Sequence, residues 1–168
     1  MNPEHQDEID RLTGRLMRTV AEIERWLGIE LQCSQDADRL ASFRKKSAKE
    51  KRQSLNDLVE RRPEYEHLVD RYFDILEARH IFAHHDNPWP GFDSEGNLVH
   101  VLASDKGFLP VNALAEATVW ADALLDTLRI ASSLDFRLPI SQERIHEHFN
   151  ASLRHYENEL RQRHEQAA

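Results

Sequence analysis

Residues 63–85 read PEYEHLVDRYFDILEARHIFAHH. Each helical step advances ~100°, so with Leu68 at zero, Val69, Tyr72, Ile75, Leu76 and Ala83 fall on one broad apolar stripe. Pro63 suits the first turn of a helix, and Glu64 and Glu66 near the start favour its dipole. The following Asn87-Pro88-Trp89-Pro90-Gly91 cannot continue it. The spacing therefore predicts a buried amphipathic helix from Pro63 to about His85. Arg79 falls in the middle of the stripe and His80 near its edge. A guanidinium there keeps its proton, so it needs an anion, a polar cavity or a partner chain.

The flanking segments repeat the helical pattern. Ile9, Leu12, Leu16, Val20, Ile23 and Leu27 carry a three-four spacing from about Pro3 to Leu31, and residues 32–38 read as a break. A second helical region runs through the basic block to Leu55, Leu58 and Val59. Beyond the motif lies the only β-like stretch. Leu98–Leu102 and Phe108–Val111 flank Ser104-Asp105-Lys106-Gly107, a hairpin over about 97–111. Asn112 can cap a fourth helix bearing Leu114, Val119, Leu124, Leu125 and Leu128. Pro139 and Ser141 open a fifth, with a seam at Ile145, Phe149, Leu153, Tyr156 and Leu160. The expected fold is all-α: one domain over 1–168, a small bundle of about five helices with a β-hairpin inserted after the motif helix.

Composition agrees with helices: five glycines and six prolines in 168 residues interrupt little. The hydrophobic content of 40% is lean for a compact sphere and suits long helices with solvated faces, or a core completed by a second copy. The single cysteine, Cys33, excludes an internal disulfide and a cysteine-rich zinc module. It has no local feature that would activate it and reads as an inert, small apolar residue. No secretory pattern and no run of ~18 apolar residues occurs, so a cytoplasmic protein away from membranes is expected.

The net charge of −8 argues against broad, sequence-blind binding of nucleic acid. Its distribution is uneven. Residues 39–52, RLASFRKKSAKEKR, hold seven basic residues against one acidic and carry +6. Such a block is most often a solvated helix face or a mobile loop. It can also draw phosphates, with Arg44, Lys45, Lys46 and Lys49 as the contacts.

Glu77-Ala78-Arg79-His80-Ile81-Phe82-Ala83-His84 places an arginine and a histidine with four residues between them near the end of a long helix. This resembles the Arg-x4–6-His motif of the HEPN superfamily (higher eukaryotes and prokaryotes nucleotide-binding). That family most often has asparagine or another polar residue after the arginine; here it is His80. The resemblance implies a metal-independent endoribonuclease that cleaves single-stranded or loop RNA to 2′,3′-cyclic phosphate and 5′-hydroxyl ends. It implies a homodimer formed through the motif helix. Toxin–antitoxin or phage-defence service, with a separate antitoxin or regulatory protein, belongs to the same implication. Arg79 and His84 would be catalytic, and Glu77, His80 and His85 supporting.

The residue types fit that chemistry. RNA supplies its own nucleophile, the 2′-hydroxyl. A histidine can take or give a proton near pH 7, and a permanently charged guanidinium can stabilise a phosphoryl group as charge builds on it. Five helical steps, however, turn ~140° and rise ~7.5 Å, so Arg79 and His84 do not share a face. The long arginine side chain or a second subunit has to complete the site. Glu77, seven residues before His84, lies on the same side and could orient it.

Other readings compete. Arg79 could pair with a buried carboxylate such as Asp10 or Glu22 and serve only the fold. His84 could be a C-terminal histidine favoured by the helix dipole. The whole chain could be a non-catalytic dimeric module that binds RNA, nucleotide or a protein partner. His80 and His84 have the i, i+4 spacing of a helical zinc pair, with His85 and Asp86 next, but Ile81 stands where HExxH has glutamate. No metal and no cofactor is expected. Trp89 and Phe92 either cover the end of the bundle or stack on unpaired bases.

Overall fold

The computed structural model describes residues 3–33, 43–84, 89–92, 98–105, 107–133 and 141–167. Among them are five α-helices: α1 (Pro3–Cys33), α2 (Ala48–Arg61), α3 (Glu66–Ala83), α4 (Asn112–Ser133) and α5 (Gln142–Ala167). Strands β1 (Trp89–Phe92), β2 (Leu98–Ser104) and β3 (Gly107–Pro110) follow α3 as an antiparallel sheet in the order β1-β2-β3.

α4 occupies the middle and packs on α1, α3 and α5. Small residues allow this: Ala121, Ala123 and Ala131 are buried beside Leu124 and Leu128. The stripe expected on α1 is buried throughout, from Ile9 to Leu31. On α3, Leu68, Val69, Tyr72 and Ile75 enter the same core. Pro63–Tyr65 forms a 3-10 turn before α3 rather than its first turn. The seam of α5 narrows outward, Ile145 and Phe149 being buried and Leu153 and Tyr156 half-buried.

α2 begins at a capping box that the basic block conceals. The Ser47 hydroxyl accepts from the Glu50 N–H at 3.3 Å, and the Glu50 carboxylate accepts from the Ser47 N–H at 2.8 Å. The hydroxyl also holds the Glu50 carboxyl below its usual range. Phe43, buried in the core, anchors the preceding turn. Residues 39–42 lie outside the described residues.

The sheet has one strand more than the expected hairpin. Trp89–Phe92 pairs along β2, with Pro90 opposite His100 and Gly91 opposite Val99. A proline is tolerated there because β1 is an edge strand. Gly91 is required by close approach: a Cβ would come within 2.5 Å of the Val101 Cγ2. At the other turn Gly107 has φ 145°, a conformation other residues rarely adopt. Leu102 is fully buried, and β2 packs on α3, so the sheet lies against the motif helix.

His67 ties α3 to α5. Its ring meets His146 edge-on at 4.7 Å between centroids and Phe149 at 5.4 Å, and its Nε2 is buried with no hydrogen-bond partner among the described residues. Burial lowers its pKa below the usual 6.5, helped by Arg71 and His146 and opposed by Asp70. A base whose pKa is depressed on folding contributes stability above its unfolded pKa and loses it as pH falls through the folded value. The unfolding free energy is therefore expected to fall as pH drops below about 6.5, the ordinary value for histidine. His67→Phe, which keeps the aromatic contacts, should show a shallower fall; urea titrations at several pH values measure it.

Candidate functional site

Arg79 is half-buried on α3, and its Nε donates to the Met17 Sδ of α1 at 3.1 Å. A thioether is a weak acceptor and carries no charge to cancel the guanidinium. Among the described residues no carboxylate forms an ion pair with Arg79. Neither of the carboxylates considered from sequence is its partner. Asp10 accepts from Gln6 at 3.0 Å, and Glu22 pairs with Arg129 at 2.6 Å.

The buried carboxylate nearby is Glu24, and it is already taken. Lys51 Nζ lies 2.5 Å from Glu24 Oε1, and the Tyr72 hydroxyl donates to the same oxygen at 3.1 Å. Burial, then Glu24, push the Tyr72 hydroxyl far up; Arg79 acts the other way, which places its charge at the edge of this network. Glu24 is thus matched by Lys51, and Arg79 is left without an ion-pair partner among the described residues. Glu24 and Lys51 were not foreseen: Lys51 belongs to a block that reads as solvated, yet it is 7% exposed. The signal was present, since Lys51 leads Leu55 and Leu58 by four and seven residues on one face.

Arg79 opens onto a cleft of about 400 Å³. Lys51, Phe73, Glu77 and His80 line it too, with Ala48 at the start of α2. The fold therefore brings one end of the basic segment to the motif arginine across some thirty positions of sequence. Arg52 lies over the Phe73 ring at 4.0 Å, adding a third cation to Lys51 and Arg79. Glu77 is exposed, so water and salt screen its charge more than that of the half-buried Arg79.

His80 is the link to His84. Its ring lies 4.9 Å from the His84 ring, and its Nε2 lies 3.1 Å from Asp105 Oδ1 in the β2–β3 turn. Asp105 was not among the residues singled out from sequence, because only the sheet carries it back to α3. His84 itself caps α3: its N–H reaches the His80 and Ile81 carbonyls at 3.2 and 3.4 Å, and its side chain is exposed. No hydrogen bond joins it to Glu77 among the described residues.

The remaining candidates divide. Arg44, Lys45 and Lys49 are exposed, whereas Lys46 is half-buried and donates to the Ser54 hydroxyl at 2.6 Å. His85 and the side chain of Trp89 lie outside the described residues. Phe92 is 73% exposed and does not cover the bundle end. Among the described residues no three His, Cys, Asp or Glu side chains are grouped to hold a metal ion. No described helix is long and apolar enough to cross a membrane.

No protein-family model, no curated protein and no solved structure matches this chain.

Proposed function

We propose that the protein is a metal-independent endoribonuclease of the HEPN type, acting as a homodimer on single-stranded or loop RNA. The observation that carries this reading is the convergence of Lys51, Arg79 and His80 on one cleft, with Arg79 lacking a carboxylate partner among the described residues. A phosphodiester supplies the missing anion, and the guanidinium fork matches two of its oxygens. A histidine accepts the 2′-hydroxyl proton as that oxygen attacks phosphorus. Arg79 stabilises the charge on the phosphoryl oxygens. The 5′ oxygen leaves with a proton from a second imidazole. His84 is exposed and outside the cleft lining, so the partner's His84, brought across a dimer interface along α3, completes the site. A toxin or defence role, with a separate regulatory protein, goes with this reading.

The exposure of His84 also favours a second reading, a dimeric module that holds RNA without cutting it. Incubation of pure protein with mixed single-stranded RNA in EDTA separates the two. The enzyme gives fragments with 2′,3′-cyclic phosphate and 5′-hydroxyl ends. RNA that is bound yet stays intact would exclude catalysis, and dependence on added metal would exclude the mechanism.

A further inference from the structure

A second cavity, of about 610 Å³, shares no residue with the Arg79 cleft. It lies where the first half of α1, the first half of α4 and the last half of α5 meet β2. Its volume is in the range of small-molecule sites. The short side chain of Ala115 on α4 lines it, with Val119 one turn on and Val111 just before the helix. Leu12, Val119, Trp120 and Leu160 supply an apolar wall. Trp120 is held in place by Arg71, 4.5 Å from its ring on one side, and by Phe149 at 6.2 Å.

The carboxylates around this wall outnumber its other polar side chains, His100 and Asn112. Glu8, Glu116 and Glu157 line the cavity, and no lysine or arginine does. Glu8 engages Arg11 at 2.6 Å. Glu116 and Glu157, one on α4 and one on α5, are both exposed and have no ion-pair partner among the described residues. A fatty carboxylate entering here would bring an anion toward carboxylates. A neutral apolar molecule would leave them uncompensated. With three carboxylates against one imidazole on the rim, a cation with an apolar body matches both the wall and the rim best.

We propose that this cavity binds a small organic cation, an alkylammonium whose chain lies against Leu12, Trp120 and Leu160 and whose head meets Glu116 and Glu157. The site is independent of the ribonuclease reading. It is tested by titrating the intact protein with n-octylammonium, n-octanol or n-octanoate while following the indole N–H resonance of Trp120, assigned with Trp120→Phe. Octylammonium should move that resonance saturably and bind at least tenfold more tightly than octanoate. Glu116→Gln combined with Glu157→Gln should weaken octylammonium at least tenfold and leave octanol unchanged. Far-UV circular dichroism at the same ratios verifies that the fold persists. Equal or tighter binding of octanoate would overturn the proposal, as would an ammonium affinity unaffected by the double variant. A Trp120 resonance that moves only with protein concentration would assign the cavity to a second copy instead, and would equally overturn it.

Discussion

Under the proposed endoribonuclease function, Arg79→Ala is expected to reduce RNA cleavage by about 10²–10³-fold, the usual cost of removing one preorganised group that stabilises transition-state charge. The fold should survive. Arg79 holds no carboxylate of the described residues in an ion pair, so its removal leaves no buried anion exposed. The unfolding free energy should change by about 1 kcal/mol or less. Arg79→Lys keeps the charge but loses the planar fork, and it should recover only part of the activity. The opposite pattern, a large stability loss with cleavage intact, would make Arg79 a structural cation. Rates on a fluorescent single-stranded oligonucleotide, with urea unfolding of each variant, measure both quantities.

The second large effect lies beneath the cleft. Lys51→Ala should destabilise the protein by about 3–5 kcal/mol, because it strands a buried carboxylate. Glu24 is buried between α1, α2 and α3, and the Tyr72 hydroxyl that also reaches it donates a hydrogen bond but no charge. Replacing both ions, Lys51→Met with Glu24→Leu, should regain most of that loss, since well-packed apolar residues of similar size often match a buried ion pair. Urea unfolding of the single and double variants gives the coupling directly. The double variant also isolates Arg79: a cleft that keeps its arginine but loses the Glu24–Lys51 pair should still bind phosphate.

The five helices were legible because each carries its apolar residues at a three-four spacing over many turns. The burial of Ile9 through Leu31 on α1 and of Leu68 through Ile75 on α3 follows the stripes that the sequence marks. Edges were harder to read. The start of α2 was hidden by the charge of its surroundings, although Ser47-x-x-Glu50 is itself a helix-start pattern. β1 was missed for a different reason. Pro90 and Gly91 demote a strand, and only an edge position beside β2, with Val101 pressed on Gly91, makes them tolerable.

The site was legible in its residue types and not in its connections. Arg79 stood out as a charge on an apolar stripe. Its neighbours Met17, Lys51 and Phe73 come from three helices, and no local spacing links them. The pairing of Glu24 with Lys51 instead of Arg79 depends on how α2 lies across α1 and α3. Likewise Asp105 reaches His80 only through the hydrogen-bonded turn of β2 and β3.

Phosphate binding by the Arg79 guanidinium, on which the proposed function rests, can be followed in the arginine Nε–H NMR spectrum of the protein, with the Arg79 peak assigned by substitution, during titration with a non-cleavable 2′-O-methyl oligonucleotide. A saturable shift of the Arg79 peak that weakens as salt is raised is expected. An Arg79 peak that stays fixed while the oligonucleotide binds elsewhere would contradict it.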